Sequence, residues 1–175
     1  MLKYKFTNLL TTTLITETLF LTAFRFREGK LKWKSINNWY TNLKWSAVIL
    51  DILSILIGFY ISIYIYNLLF KYNYIGNDQN EKLNFLLILL FVQISHDLLF
   101  YYLIIKNSKL GESDVMDEFI DYSKKVGINA IIGDSLMYIV SIPILYYFVK
   151  KNEKSFNTFL CILSFYFIGY LLYKK

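Results

Sequence analysis

Cysteine, proline and charged residues are all scarce in this chain of 175 residues. The single cysteine, Cys161, excludes an intrachain disulfide and any zinc or iron–sulfur site built from several cysteines. One proline and seven glycines form no linker-like stretch, so a single domain is expected. Apolar residues make up 56% of the chain, whereas an ordinary soluble domain has about 45–50% with glycine included. This composition predicts a protein of the lipid bilayer.

The net charge of +6 does not point to a nucleic acid. The Lys and Arg residues lie at the ends of apolar runs, where cations normally meet lipid headgroups. We therefore predict that the main partner of the chain is the lipid bilayer and that it binds no nucleic acid.

Four apolar runs are long enough to cross a membrane as helices. Crossing takes about 20 residues, because the hydrocarbon core is about 30 Å thick and a helix rises about 1.5 Å per residue. The predicted spans cover residues 46–70, 83–105, 127–149 and 156–173. The last span is the shortest, but it holds no charged residue and is followed by Lys174 and Lys175, which can reach the membrane surface.

A fifth run, residues 6–24, is more polar, since it contains Glu17 and several threonines. Threonine hydroxyls can bond to carbonyls of their own helix, so such a segment can still cross a membrane. A cleavable signal peptide is disfavoured, because Glu17 interrupts the apolar stretch and Phe24-Arg25-Phe26 lacks the small residues of a cleavage site. We predict an all-α integral membrane protein with a bundle of four to five transmembrane helices. For residues 6–24, an interfacial helix is the alternative.

The distribution of Lys and Arg predicts the orientation. With five spans, the loops at 25–44 and 106–125, together with the C-terminal tail, hold 12 of the 19 basic residues. The positive-inside rule therefore places both loops and the C-terminus in the cytoplasm. Residues 114–126 show apolar side chains at helical spacing after Ser113, a suitable N-cap, which predicts an amphipathic helix at the cytoplasmic surface.

Eight polar side chains inside the predicted spans form a candidate site, called the polar cluster below. Charged groups at membrane depth are rare because their desolvation is costly. The titratable members lie at one depth, roughly 10–15 Å inside the boundary where the two longer loops begin. Helical spacing puts them on faces rich in small and polar residues, which should turn toward the bundle interior. The polar cluster consists of Glu17, Asp51, Ser54, Gln93, His96, Asp97, Asp134 and Ser135.

Three roles for the polar cluster remain open. In the first, its members pair with one another and hold the helices together. In the second, they form a path for protons or small cations. In the third, His96 and the carboxylates of Asp51, Asp97 and Asp134 bind a divalent metal that activates water. The sequence names no cofactor, and it lacks the His-Glu-x-x-His and Gly-x-Ser-x-Gly motifs that would predict an enzyme.

Several local segments stand out between residues 39 and 173. The most specific are Gln93-Ile94-Ser95-His96-Asp97-Leu98-Leu99-Phe100-Tyr101 and Gly133-Asp134-Ser135-Leu136-Met137; the others are Trp45-Ser46-Ala47-Val48 leading into Asp51 and Gly58, and Asp117 to Tyr122 followed by Gly127. Together they resemble a family of small multi-pass membrane proteins encoded by large nucleocytoplasmic DNA viruses. The family has no assigned activity, so the resemblance implies a viral origin and an intracellular or virion membrane but no mechanism.

We therefore expect a multi-pass viral membrane protein that acts as a structural or interaction component of a viral or host membrane. Its protein partners would dock on the loop at 106–126. Transport of protons or small cations is the first alternative, because acidic and His side chains at membrane depth are typical of such paths. A metal-assisted intramembrane enzyme is the second alternative.

Single cysteines test the predicted orientation in a Cys161→Ser background. Cysteines replacing Lys34 and Lys109 are expected to be shielded from membrane-impermeant thiol reagents in intact cells, because the positive-inside rule places both in the cytoplasm. A cysteine replacing Asn77 is expected to be labelled. Labelling of the first two but not of the third would reverse the orientation and leave the spans as predicted.

Overall fold

The structure, a computed structural model, describes residues 1–26, 34–76 and 80–174, so that Asn77 lies outside the described residues. Within these ranges all regular secondary structure is helical. A short 3-10 turn, Ile105–Asn107, follows the fourth helix. The α-helices are α1 (Phe6–Arg25), α2 (Lys34–Leu43), α3 (Trp45–Lys71), α4 (Glu81–Leu103), α5 (Asp114–Val126), α6 (Ile128–Lys151) and α7 (Lys154–Leu172).

Four of the described helices are long and apolar enough to cross a membrane, namely α3, α4 with its 3-10 turn, α6 and α7. They begin and end within two residues of the predicted spans. Large apolar side chains remain exposed on their outer faces, as with Tyr64 and Phe91, and such continuous apolar surface is typical of contact with lipid or protein. The prediction of an all-α protein with four helices of membrane-crossing length and composition is confirmed.

The helix α1 lies at the centre of the bundle, although it is the least apolar of the long helices. It packs against α7, α6 and α3. Leu9 and Leu14 are fully buried, and so are Thr13 and Glu17. The Thr13 hydroxyl donates to the Leu9 carbonyl oxygen at 3.0 Å, so its polar group is satisfied within the helix. Crossing of a membrane by α1 stays a prediction, because α1 is not among the four helices apolar enough to qualify.

The helices α1 and α7 run parallel. Near their starts the Asn157 amide donates to Asn8 Oδ1 at 2.7 Å, and near their ends the Arg25 guanidinium donates to the Leu172 carbonyl oxygen at 3.4 Å. The Leu2 backbone N–H donates to Asn67 Oδ1 at 2.7 Å, so the start of α1 also lies beside the end of α3. The five long helices therefore alternate in direction along the chain. The start of α3, the ends of α1 and α7, and the helices α2 and α5 share one end of the bundle, called the α2/α5 end below.

The helix α2 corrects the interpretation of residues 34–43 as part of a loop, and residues 27–33 of that predicted loop lie outside the described residues. Its apolar residues Ile36, Trp39, Tyr40 and Leu43 follow the three- and four-residue spacing of an amphipathic helix. That signal is short, since the helix has only ten residues. The helix is stabilised by its apolar face, which places Trp39 and Tyr40 against the bundle with 7% and 3% of their surface exposed.

The helix α5 has the bounds that the sequence predicted, residues 114–126, and Ser113 is its N-cap. The Ser113 hydroxyl accepts from the Met116 backbone N–H at 3.1 Å. The apolar face of α5 packs against α2 and α4. The centroid of the Phe119 ring lies 4.7 Å from that of the Trp39 ring and 5.0 Å from that of the Phe100 ring. The predicted amphipathic helix is confirmed, and its position at a cytoplasmic surface stays a prediction.

The contact between α3 and α6 depends on a glycine. Tyr138 from α6 is almost fully buried, and its hydroxyl donates to the Ser54 and Ile55 carbonyl oxygens of α3, each at 3.3 Å. A Cβ atom at Gly58 would lie 2.0 Å from the Tyr138 hydroxyl oxygen. Any side chain at residue 58 therefore displaces the tyrosine.

We expect Gly58→Ala to lower the free energy of unfolding by about 1–3 kcal/mol, because the added methyl group overpacks the contact with Tyr138. Gly133→Ala on α6 is the matched control, since a Cβ at Gly133 meets no atom within 4 Å. It should be neutral or slightly stabilising, because alanine favours helix by up to about 1 kcal/mol. The measurement is denaturant-induced unfolding of both variants in detergent. Equal free energies of unfolding for the two variants would contradict the close contact between Gly58 and Tyr138.

Candidate functional site

Four carboxylates lie at a similar depth below the α2/α5 end. Asp51 comes six residues after the start of α3, Asp134 six after the start of α6, and Asp97 six before the end of α4. Each is therefore about 9 Å inside its helix end, at about 1.5 Å per residue. Glu17 comes eight residues before the end of α1, which places it about 12 Å inside.

A cavity of about 700 Å³ lies among α3, α4 and α6, with α5 at one side. Its lining is mainly apolar and aromatic. Among the described residues, no Lys or Arg side chain lines it. The lining residues Ile57, Tyr102 and Ile128 keep half or more of their surface exposed, so the cavity opens to the surroundings of the bundle. The members of the polar cluster that line it are Asp51, Ser54, Gln93, His96, Asp97 and Asp134.

The carboxylate of Asp51 is held by α2. The Tyr40 hydroxyl donates to Asp51 Oδ2 at 2.9 Å, and the Trp39 indole N–H donates to the same oxygen at 3.3 Å. Burial, followed by the nearby carboxylates of Asp51 and Glu17, raises the pKa of Tyr40 well above its ordinary value. Tyr40 therefore stays protonated and remains a hydrogen-bond donor.

Asp97 is held within its own helix. The Gln93 amide donates to Asp97 Oδ1 at 2.7 Å, and His96 Nδ1 lies 3.2 Å from the same oxygen. The other oxygen, Oδ2, is buried and has no hydrogen-bond partner among the described residues. The His96 side chain is 49% exposed, and its ring stacks on the Phe100 ring with 6.0 Å between the ring centroids. Asp97 Oδ2 is covered by protein atoms and has no donor among the described residues, so it does not open to the cavity.

Glu17 and Asp134 are the least satisfied members of the polar cluster. Although the Tyr40 hydroxyl lies close to it, Glu17 is fully buried and neither of its carboxylate oxygens accepts a hydrogen bond of good geometry in the described part of the chain. It lies near Tyr40 and Asp51 but is not among the residues that line the cavity. Asp134 lines the cavity and makes no hydrogen bond to a described residue. Asp134 thus has no donor among the described residues, and Glu17 has only the nearby Tyr40 hydroxyl, which already donates to Asp51.

The structure brings six of the eight predicted site residues to one cavity and leaves two outside its lining. Glu17 lies deeper in the bundle, and Ser135 does not line the cavity.

Sequence reasoning missed Trp39, Tyr40 and Tyr122. The first two donate hydrogen bonds to Asp51, and the third lines the cavity. Burial, followed by nearby carboxylates, raises the pKa of Tyr122, so it too stays a neutral donor. The helical spacing of the aromatic residues in α2 and α5 was the signal that could have found them.

A metal centre finds no support in the described residues. No three His, Cys, Asp or Glu side chains in those ranges are placed so that they could share a metal ion. Although His96, Asp51, Asp97 and Asp134 line one cavity, they stand around a wide space, and a metal ion needs its ligands within about 2.0–2.6 Å.

Comparison of the chain with family models, curated proteins and solved structures gave no match. The resemblance to viral membrane proteins therefore stays a prediction, and function has to be argued from the site alone.

We expect Asp97→Asn and Asp134→Asn to have non-additive effects on stability, because each substitution removes the same repulsion between two carboxylates that face one cavity. The coupling between contacting groups is typically about 0.5–3 kcal/mol. The measurement is unfolding of both single variants and the double variant in detergent. Asp97→Asn combined with Glu112→Gln, an exposed acidic residue outside the cavity, is the control and should be additive. Additive effects on the free energy of unfolding in both pairs would show that Asp97 and Asp134 do not interact.

Proposed function

We propose that the protein is a multi-pass membrane protein that takes up protons or other cations into the acidic cavity and moves them into the bundle. The observation that supports this proposal most strongly is an excess of acidic groups inside the long helices, of which Glu17 is fully buried and three aspartates are partly buried. Glu17, Asp51, Asp97 and Asp134 lie at one depth, and within the described ranges His96 is the single basic side chain in contact with any of them. Apart from His96 beside Asp97, their negative charge thus has no counter-ion among the described residues.

A buried carboxylate is unstable as an isolated charge, since moving it from water to a low-dielectric interior costs far more than one salt bridge returns. It must take up a proton or bind a cation. Glu17 meets this condition most fully, because no part of its side chain is exposed. Such a group is rare in helices of this kind and typical of ion or proton pathways.

Tyr40 links the cavity to Glu17. Its hydroxyl binds Asp51, which lines the cavity, and Tyr40 also lies beside Glu17. A hydroxyl both donates and accepts, so it can take part in a chain of hydrogen bonds between two carboxylates. We propose that protons or cations enter through the cavity and that Glu17 is the inner acceptor.

Hydroxyl groups continue from Glu17 toward the opposite end of the bundle. Thr12, Thr16 and Ser62 have buried hydroxyl oxygens with no hydrogen-bond partner among the described residues. Thr12 is thirteen residues before the end of α1, about 20 Å inside it. We propose that these hydroxyl groups, which can both donate and accept, extend the proton path beyond Glu17 along α1.

The proposal includes α1 as a fifth membrane-crossing helix. Its central position among α3, α6 and α7 supports this role over that of a helix lying flat at the membrane surface. We also propose that the α2/α5 end and the C-terminus face the cytoplasm, on the basis of the Lys and Arg distribution.

A structural or interaction component of a viral or host membrane is the second candidate function. Partners would dock on the loop at 106–126. The apolar face of α5 is already in contact with Trp39 and Phe100, so a partner would have to use the polar face, where Asp114 and Asp121 are located. Asp121 is already paired with Lys125 at 2.6 Å, so a basic partner would meet Asp114 on that face.

Proton or cation uptake is tested in liposomes that contain the purified protein and a pH-sensitive dye. Under an imposed potassium diffusion potential, we expect proton flux above that of empty liposomes. We expect Glu17→Gln to reduce it about tenfold or more, because the inner acceptor is lost. Glu112→Gln is the matched control and should leave the flux unchanged. A parallel assay with sodium in place of the proton gradient covers small cations. Absence of both fluxes, or equal flux in the two variants, would contradict the proposal.

A further inference from the structure

We infer that the cavity among α3, α4 and α6 is a binding site for an organic ammonium ion. This inference rests on the proposed uptake of cations and names the class of cation that fits. Three features of the cavity carry it: its volume, its aromatic walls, and the Asp134 carboxylate, to which no described residue donates a hydrogen bond.

The volume of the cavity is too large for a bare metal ion. Sites for small organic molecules usually enclose about 300–1,000 Å³, and this cavity measures about 700 Å³. A sodium-, magnesium- or calcium-sized ion needs several oxygen atoms close around it, and the described residues contain no group of three metal-binding side chains suitably placed. The space therefore fits a cation that carries its own apolar body.

Aromatic side chains form much of the wall. The negative face of an aromatic ring attracts an ammonium group, and several rings around one site are the usual means of binding organic ammonium ions. Lys106 Nζ lies 5.7 Å from the centroid of the Tyr102 ring and competes for that ring, but among the described residues neither Lys nor Arg lines the cavity itself. The aromatic residues that line it are Phe100, Tyr101, Tyr102, Phe119, Tyr122 and Tyr138.

The ammonium group belongs at Asp134. Asp134 lines the cavity and makes no hydrogen bond to a described residue, whereas Asp97 Oδ2 also lacks a partner but is covered by protein atoms. Asp51 is less suitable, because its Oδ2 already accepts from Tyr40 and Trp39. An ammonium group supplies both the positive charge and the N–H donors that Asp134 lacks.

The cavity opens toward two possible sources of an ammonium group, the bilayer and the aqueous phase. Ile57 on α3 and Tyr102 on α4 line the cavity and are more than half exposed on the outer faces of helices that fit a membrane. A lipid with an amine headgroup could enter from the bilayer, and a free amine could enter from the aqueous side near α5. The ammonium group is common to both.

The test uses the full chain purified in a neutral maltoside detergent and two probes of equal size, phenethylammonium and uncharged 2-phenylethanol. We expect calorimetric titration to show binding of the ammonium at least about tenfold tighter than that of the alcohol. Asp134→Asn should weaken the ammonium about tenfold and leave the alcohol unchanged. Asp97→Asn is the second variant, should the first fail to fold, and Glu112→Gln is the control with unchanged affinity.

Two further titrations identify the source. Displacement of phenethylammonium by phosphatidylethanolamine but not by phosphatidylglycerol assigns the site to a lipid amine, and absence of displacement by either assigns it to a free amine. No binding, or equal binding of ammonium and alcohol, would overturn the inference. Proton or sodium flux without ammonium binding would leave the proposed uptake intact, whereas ammonium binding without flux of any cation would limit the protein to a binding role.

Discussion

The burial of α1 among more apolar helices is the constraint on which the rest of the structure depends. A helix that carries Glu17 and a series of threonines is costly to expose to lipid, because its polar groups would lose water without gaining partners. Contact with α3, α6 and α7 removes that exposure. The parallel arrangement of α1 and α7, joined at both ends by hydrogen bonds, then determines which loops meet at the α2/α5 end.

At the α2/α5 end of the bundle, carboxylates lie in the interior and aromatic side chains lie beside them. The helices α3, α4 and α6 each place one aspartate six residues from their ends, and α2 and α5 supply Trp39, Tyr40, Phe119 and Tyr122 beside them. Neutral phenol and indole donors can satisfy part of each carboxylate but cannot cancel its charge. The site is therefore suited to a positive ligand, and this physical argument unites the proposed uptake of cations with the proposed ammonium site.

Much of the fold could be predicted from sequence because it depends on local signals. Apolar runs of about 20 residues determine α3, α4, α6 and α7, and a serine followed by acidic residues marks the start of α5. The shared depth of Asp51, Asp97 and Asp134 could be predicted for the same reason. The helix α2 is only ten residues long, and its contact with Asp51 depends on the tertiary fold. The central position of α1 likewise depends on competition among five helices, which hydropathy does not encode.

The central claim, that α1 is an integral helix of the bundle parallel to α7, can be tested with the native cysteine. Thr11 Oγ1 lies 3.1 Å from Cys161 Sγ, so mild oxidation of a Thr11→Cys variant in membranes should form an intramolecular disulfide. With a protease site inserted in the exposed loop after Leu110, the two fragments should stay joined until they are reduced. Leu19→Cys, on the exposed side of α1, is the control and should give separate fragments. Separate fragments from the oxidised Thr11→Cys protein would contradict the account.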